Sequence, residues 1–260
     1  MNFRIYIEKL SERGVYHFTT SDVVNDTGSS HVAARAAIRR AREKGFIATP
    51  FQGFHVIIPP EYRILKCLPA EQFMPDLMEH LNLEYYFGLL TAANLHGISY
   101  QAPMVTQIVT AHNRAAILCG RVRVVFIARR NVGVIPTVRR NTARGSANIS
   151  SLEATLFDLV GYPGHAGGMS NVAAIASEAA DDMDVQKLEA AIAHSPLPWT
   201  QRLGYLFDIT VSQEFSLPLA KHVSKYAKEY VPLRVGRTAA GSQRDAKWKL
   251  MLNEDVEIDL

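Results

Sequence analysis

The first 58 residues carry a fixed succession of short helix, strand and turn signals that few folds can accommodate. Apolar side chains recur at helical spacing over 2–13, and Gly14 ends that run. A β-prone segment follows at 15–18, after which Thr20 or Ser21 offers an N-cap for a brief helix. The sequence therefore predicts a helix, a short strand and a second helix in close succession.

A turn and a strongly basic helix continue the pattern. Residues 25–28 tolerate unusual backbone angles and predict the turn, and the basic helix begins at Ser29 or Ser30 and ends at Gly45. Two short β-prone segments separated by a turn with Pro and Gly predict a hairpin at 46–48 and 54–58. This order of elements is typical of a winged helix-turn-helix domain, which we predict over residues 1–66.

The basic helix has the composition that DNA recognition requires. Its Ala36 would let the backbone approach base edges, and arginines reach guanine edges or phosphates. Hydroxyl and imidazole groups at the helix N-terminus are placed for phosphate contacts. We predict DNA contacts from Ser29, Ser30, His31, Arg35, Arg39 and Arg40. Winged helices also serve as protein-interaction modules, and this alternative stays open.

Charge is distributed unevenly along the chain, although the net charge is only +3. Residues 1–66 hold ten Lys and Arg against six Asp and Glu, and the stretch between Glu84 and Glu153 holds eight arginines without one lysine or acid. Arginine forms bidentate contacts with phosphate and carboxylate, which is compatible with an anionic partner. The alternative, that these arginines are solvated and paired surface residues, stays open. Six of these arginines are a candidate surface for a toxin or nucleic acid: Arg121, Arg123, Arg129, Arg130, Arg139 and Arg140.

Residues 67–260 predict a larger α+β domain with a helical C-terminal part. Pro-rich sequence at 59–75 marks the boundary, and an i+4 pattern predicts one helix over 77–97. Val- and Ile-rich strands are expected at 104–110, 115–119, 122–128 and 132–138. Helices are expected at 151–160, 171–180, 185–194 and 198–209, the third preceded by an acidic N-terminus that includes Asp184.

Several classes of function find no support in the sequence. The chain has no run of 18 apolar residues, and charges interrupt its N-terminus, so we expect neither a membrane span nor a secretory signal but a cytoplasmic protein. The two cysteines, Cys67 and Cys119, lack metal-ligand spacing and are expected to be buried thiols. No catalytic triad, metal motif or cofactor motif can be assembled, so we expect no enzyme.

Beyond these patterns, the sequence resembles the AbiEi family, the antitoxins of a bacterial toxin–antitoxin class. The resemblance runs along essentially the whole chain. Besides the N-terminal winged helix ending in GFI, it rests on YYFGLLTAANLHG (85–97), ISSLEATLFDLVGYP (149–163), GGMSNVAAIASEAAD (167–181), WTQRLGYLFDI (199–209) and KWKLMLNEDVEIDL (247–260).

The resemblance implies a transcriptional autorepressor that binds operator repeats, and an antitoxin with a role in phage defence. Whether it binds DNA as a homodimer stays open. It also implies a nucleotidyltransferase-like toxin that the C-terminal domain counters, with or without direct contact. A nuclease targeted to DNA by the winged helix is the alternative from another class. A carboxylate cluster, which such an enzyme needs, is missing from the strand-rich region between Glu84 and Glu153.

Overall fold

The computed structural model describes residues 2–99, 103–211 and 213–257, and it has the mixed α+β architecture that the sequence predicts. The chain packs into two compact units. The first comprises Met1–Tyr86, Met104–Arg130 and Arg139–Asn148, and the second comprises Phe87–Pro103, Asn131–Val138 and Ile149–Leu260. The predicted boundary after residue 66 falls inside the first unit, so autonomous folding of residues 1–66 stays a prediction.

Helices account for much of the described chain. They are α1 Phe3–Glu12, α2 Thr20–Thr27, α3 His31–Glu43, α4 Ala70–His80, α5 Leu89–His96, α6 Leu152–Gly161, α7 Met169–Glu178, α8 Val185–Ala193, α9 Leu197–Thr210 and α10 Gln213–Tyr226. Within the described ranges, each helix falls short of the length and apolar character that a membrane span needs.

The strands form three sheets. They are β1 His17–Thr19, β2 Ile47–Phe51, β3 Phe54–Ile57, β4 Tyr85–Phe87, β5 Thr106–Thr110, β6 Ile117–Cys119, β7 Val122–Ala128, β8 Thr137–Thr142, β9 Gly145–Ser150, β10 Val231–Pro232, β11 Gln243–Asp245 and β12 Leu250–Leu252. The strand orders are β1-β3-β2, β6-β7-β5-β4-β9-β8 and β10-β12-β11.

Residues 2–58, which we call the N-terminal segment, enclose a core of their own. The antiparallel hairpin β2–β3 is extended by β1, which pairs with β3. Buried side chains from all three helices and all three strands meet in one cluster: Tyr6, Ile7, Phe18, Val23, Ala34, Ile38, Ala41, Ile47 and Ile57. Tyr6 and Phe18 meet edge to face, with ring centroids 5.8 Å apart. Apolar burial therefore fixes α3 on this sheet.

Two predicted elements in the middle of the chain are wrong. The single helix expected over 77–97 is instead the end of α4, the strand β4 and the helix α5. Asn82 and Leu89 both have a φ of 51°, a left-handed conformation that a continuous helix cannot contain. The strand expected at 132–138 is also wrong, because a short 3₁₀ helix occupies Val132–Val134 and β8 begins only at Thr137.

Helices dominate the second unit, and Trp248 is buried within it. The indole N–H donates to Asp208 on α9 at 2.7 Å, and the Gln201 amide, also on α9, donates to the Trp248 carbonyl at 3.1 Å. Gly204 faces the indole so closely that a Cβ there would lie 2.0 Å from a ring carbon. The helix α10 and the small sheet after it were not predicted. At their predicted places, Ser151 caps α6 and Asp184 caps α8.

Candidate nucleic-acid interface

Local hydrogen bonds set the geometry of the turn that precedes α3. Thr19 and Asp22 form a reciprocal capping box at the start of α2, so the predicted caps at Thr20 or Ser21 are off by one or two residues. At the other end of α2, Gly28 has a φ of 66°, which glycine adopts without steric cost. This left-handed residue redirects the chain into the next helix.

The two serines predicted to contact DNA also have structural roles. The Ser29 hydroxyl accepts a hydrogen bond from the Thr27 hydroxyl at 2.8 Å. The Ser30 hydroxyl accepts one from the Ala33 N–H at 3.3 Å and is the N-cap of α3. A hydroxyl retains further hydrogen-bonding capacity after accepting one bond, so each serine can still meet a phosphate oxygen.

The helix α3 has one buried stripe and one open face. Ala34, Ile38 and Ala41 are buried in the core of the N-terminal segment. At 3.6 residues per turn, the side of the helix opposite that stripe carries Val32, which is 79% exposed, and Arg39. The remaining predicted contact residues of α3 are exposed as well: His31, Arg35 and Arg40. The structure thus brings the predicted α3 side chains onto solvent-facing sides of one capped helix.

Arg39 and Arg40 differ in their surroundings although they are adjacent. Arg39 lies 3.9 Å from the Glu43 carboxylate, and both side chains are about two-thirds exposed, at 65% and 64%. An exposed pair at this spacing contributes about 0.3–0.5 kcal/mol, so an anionic partner displaces Glu43 readily. Arg39 and Arg40 lie at similar angles from the buried stripe, on either side of the outward direction of the helix.

The turn of the β2–β3 hairpin is short and carries no charge. It consists of Gln52 and Gly53, and the Gly53 carbonyl accepts a hydrogen bond from the Thr20 N–H at 3.1 Å. His55 on β3 is 5% exposed and hydrogen-bonded by Thr20 and Thr49 at 3.0 and 2.9 Å. Burial lowers the pKa of His55 to about 4, so it is a neutral core residue.

The six candidate arginines of the central block lie in the first unit but do not form one patch. Arg121 and Arg123 are exposed at the β6–β7 hairpin, and β6 is one edge of the six-stranded sheet. Arg139 and Arg140 are exposed on β8, which is the other edge. Arg130 follows the far end of β7. Five of the six are therefore surface cations, at three separate places.

Arg129 differs from the other five because its side chain is buried. It is 5% exposed and donates a hydrogen bond to the Tyr86 hydroxyl at 3.3 Å. Its backbone N–H donates to the Thr110 carbonyl, which continues the pairing of β7 with β5 for one more residue. Strand alternation turns this side chain inward, and so the expectation of a surface role does not extend to Arg129.

Sequence reasoning did not single out a second basic feature of the first unit. A groove of about 560 Å³ has Arg42, Lys44, Arg63 and Lys66 among its lining residues, with Glu43 as its acidic member. An uncharged part of the lining includes Ile47, Leu118 and Cys119. The excess of basic residues in 1–66 was the available signal, but only the fold shows which of them converge.

Arg144 is a further central arginine, and it has a structural role. Its guanidinium carbon lies 3.4 Å from the centroid of the Tyr16 ring, and its Nε donates to the Gln72 side-chain oxygen at 2.7 Å. The same group pairs with Glu61 at 3.2 Å. Arg144 thereby fastens the β8–β9 hairpin to the N-terminal segment within the first unit.

Among the residues that the structure describes, no group of three or more His, Cys, Asp or Glu side chains is arranged to hold a metal ion. Both cysteines are buried free thiols, as predicted.

Comparison with known proteins gives a fold relative and a family. The fold is similar to that in the crystal structure of the RV2827C protein from Mycobacterium tuberculosis, with a TM-score of 0.65 at 17% sequence identity, over 94% of this chain and 89% of that chain. No match is found among curated protein sequences. Residues 86–209 match the family described as the AbiEi antitoxin C-terminal domain.

The matched range contains all six candidate arginines of the central block, whereas α3 lies before it. The resemblance inferred from the sequence motifs is thus confirmed by the family match. Residues 86–209 are thus similar to the C-terminal domain of the AbiEi antitoxins.

Proposed function

We propose that the chain is a DNA-binding autorepressor as well as an antitoxin, with residues 1–66 acting as a winged helix on operator DNA. The observation that carries this proposal is the open face of α3, where Arg35 and Arg39 project from a helix whose opposite stripe is buried. A 13-residue helix is about 20 Å long and fits the major groove of B-DNA.

The chemistry of α3 assigns roles to its residues. Arg39 and Arg35 reach base edges, because they flank the small Ala36 and the exposed Val32, which is suited to contact a thymine methyl group. Arg40 lies on the other side of Val32 and Ala36 from Arg39, and we assign it to the phosphate backbone. At the helix N-terminus, the positive end of the helix dipole supports phosphate contacts. Those contacts come from the hydroxyls of Ser29 and Ser30 and from the imidazole of His31.

The antitoxin role belongs to the family-matched region, and we propose that its exposed arginines receive the cognate toxin or a nucleic acid that the toxin uses. Arg121 and Arg123 at one sheet edge and Arg139 and Arg140 at the other form two separate basic surfaces. We propose as partner a nucleotidyltransferase-like toxin that has an acidic surface and is encoded next to this chain. Both proteins would act in the cytoplasm. Charges of this kind act mainly on association rate and salt sensitivity.

Titration of the full chain against the duplex upstream of its own coding sequence tests the DNA-binding part. Fluorescence anisotropy is measured for this duplex and for a scrambled duplex at several salt concentrations. We expect tighter binding to the upstream duplex. We also expect binding to weaken steeply as salt is added, because each phosphate contact makes the slope of log K against log salt more negative by about 0.9. Operator repeats bound by a homodimer would give two protomers per site.

A matched control keeps the result specific. Arg237→Ala removes an exposed arginine in the second unit and should leave both affinities unchanged. Failure to bind either duplex would overturn the proposal and favour a protein-interaction role for the N-terminal segment. Cleavage of the duplex on addition of Mg²⁺ would instead favour the nuclease alternative.

A further inference from the structure

The two cysteines of the chain, 52 positions apart in sequence, lie opposite one another in the first unit. The Arg121 N–H donates to the Leu65 carbonyl at 2.8 Å, which pairs the chain after the N-terminal segment with the end of β6. Cys67 follows Leu65 by two residues and Cys119 precedes Arg121 by two residues, so the two cysteines flank this contact. The thiol of Cys67 is also in hydrogen-bond contact with that of Cys119.

Gly120 shows how closely these two chain segments approach. A Cβ at this position would lie 2.2 Å from the Leu65 carbonyl oxygen and 2.7 Å from the Lys66 carbonyl carbon. The segments that carry Cys67 and Cys119 are therefore in direct backbone contact. Because the two thiols also contact one another, a disulfide would join groups that already meet.

The two thiols differ in how a small oxidant reaches them. Cys119 lines the basic groove of about 560 Å³ and is 7% exposed, whereas Cys67 lies behind it at 0%. The hydrogen bond from Cys67 lowers the pKa of the Cys119 thiol against the opposing effect of burial. Cations on the groove, among them Lys66, also favour a thiolate at its floor.

We propose that Cys67 and Cys119 are a peroxide-reactive pair that forms a reversible disulfide within one chain. The Cys119 thiolate attacks one oxygen of hydrogen peroxide, the O–O bond breaks, and the leaving hydroxide takes a proton to become water. The sulfur of Cys67 then attacks the resulting sulfenic acid, the S–O bond breaks, and the hydroxide leaves with the Cys67 proton as a second water. Peroxide gains two electrons, and the two thiols lose them.

Peptide mapping of the oxidised full-length protein tests the proposal. After brief treatment with hydrogen peroxide, free thiols are alkylated and the protein is digested with trypsin without reduction. Cleavage after Lys66, Arg114 and Arg121 yields the peptides 67–114 and 115–121, each with one cysteine. We expect the two peptides joined, the thiol count lowered from two to none, and both effects reversed by dithiothreitol.

Single variants assign the order of the reaction and guard against misfolding. In Cys67→Ser, Cys119 should stop at the sulfenic acid, which dimedone traps, whereas in Cys119→Ser the remaining Cys67 should stay alkylatable after the same treatment. Two free thiols in peroxide-treated wild type would overturn the proposal, as would crosslinks found only between two chains. Binding to DNA plays no part in this readout, so the outcome is independent of the function proposed above.

Discussion

Replacement of Arg144 by alanine should destabilise the first unit by about 2–4 kcal/mol. The guanidinium stacks 3.4 Å from the centroid of the Tyr16 ring, and only 12% of the side chain is exposed. A cation–π contact in such a setting contributes about 1–2 kcal/mol. The hydrogen bond to Gln72, at 2.7 Å from a charged donor, contributes about 1.5–3 kcal/mol.

The remaining contact of this side chain counts for less. Glu61 is 57% exposed, and an exposed ion pair contributes about 0–1 kcal/mol. These contributions share one side chain and do not add fully, which gives the lower total stated above. Arg144→Lys keeps the charge but loses the planar stacking and the fork of donors, so we expect a loss of stability close to that of alanine.

Urea denaturation at pH 7 measures this loss. Unfolding should be followed by far-UV circular dichroism, because both tryptophans, Trp199 and Trp248, belong to the second unit and do not report on the first. Arg140→Ala is the matched control, since Arg140 is exposed on the same hairpin and its loss should leave stability nearly unchanged. If Arg144→Ala unfolds within about 0.5 kcal/mol of wild type, the anchoring role of Arg144 is refuted.

Three further predictions concern pH, fragment folding and charge. Burial lowers the pKa of His55 from 6.5 to about 4 in the native state. Between these two pH values the unfolded chain binds a proton at His55 that the native state does not bind, so the free energy of unfolding should fall as pH drops from 6.5 toward 4. The loss should reach about 2 kcal/mol by pH 5 and should be absent in His55→Gln, and equal pH profiles would contradict it. A fragment of residues 1–66 should unfold cooperatively in urea, since its core is its own, and should bind operator DNA, whereas a fragment without a transition would show that it depends on the rest of the first unit. Reversal of Arg139 and Arg140 to Glu should impair rescue of toxin-expressing cells while operator binding persists, and full rescue would mean that this pair does not engage the toxin.

The N-terminal segment could be predicted because its signals are local. Capping by Ser30 and the stops at Gly28 and Gly45 depend on residues only a few positions away, and the buried stripe of α3 follows from its own periodicity. The exact start of α2 was missed, where Thr19 rather than its neighbours supplies the cap. The first hairpin strand also extends to Phe51, three residues beyond its predicted end.

The region of β4 could not be predicted because its structure depends on distant partners. Leu81, Tyr85, Leu89 and Ala93 recur at helical spacing, yet Phe87 pairs in parallel with Ile149, far along the chain. This parallel pairing with a distant strand overrides the local helical pattern, and no residue pattern within 77–97 predicts it.

The arginine block illustrates the same limit for the candidate site. Arg129 and Arg130 are adjacent in sequence, but strand alternation buries the first and exposes the second. Arg144 could be read as one more surface cation until its contact with Tyr16 is known. The closeness of Cys67 and Cys119 is equally invisible in the sequence, because it depends on the pairing of two separate segments.

The affinities of Arg39→Ala and Arg40→Ala for operator and scrambled duplexes show whether α3 reads operator DNA. If Arg39 contacts a base edge, its loss should weaken operator binding by about 1–3 kcal/mol and reduce the preference for operator over scrambled DNA. If Arg40 contacts a phosphate, its loss should weaken both duplexes equally and lower the salt slope by about 1. Operator affinity and preference unchanged in both variants would contradict the account.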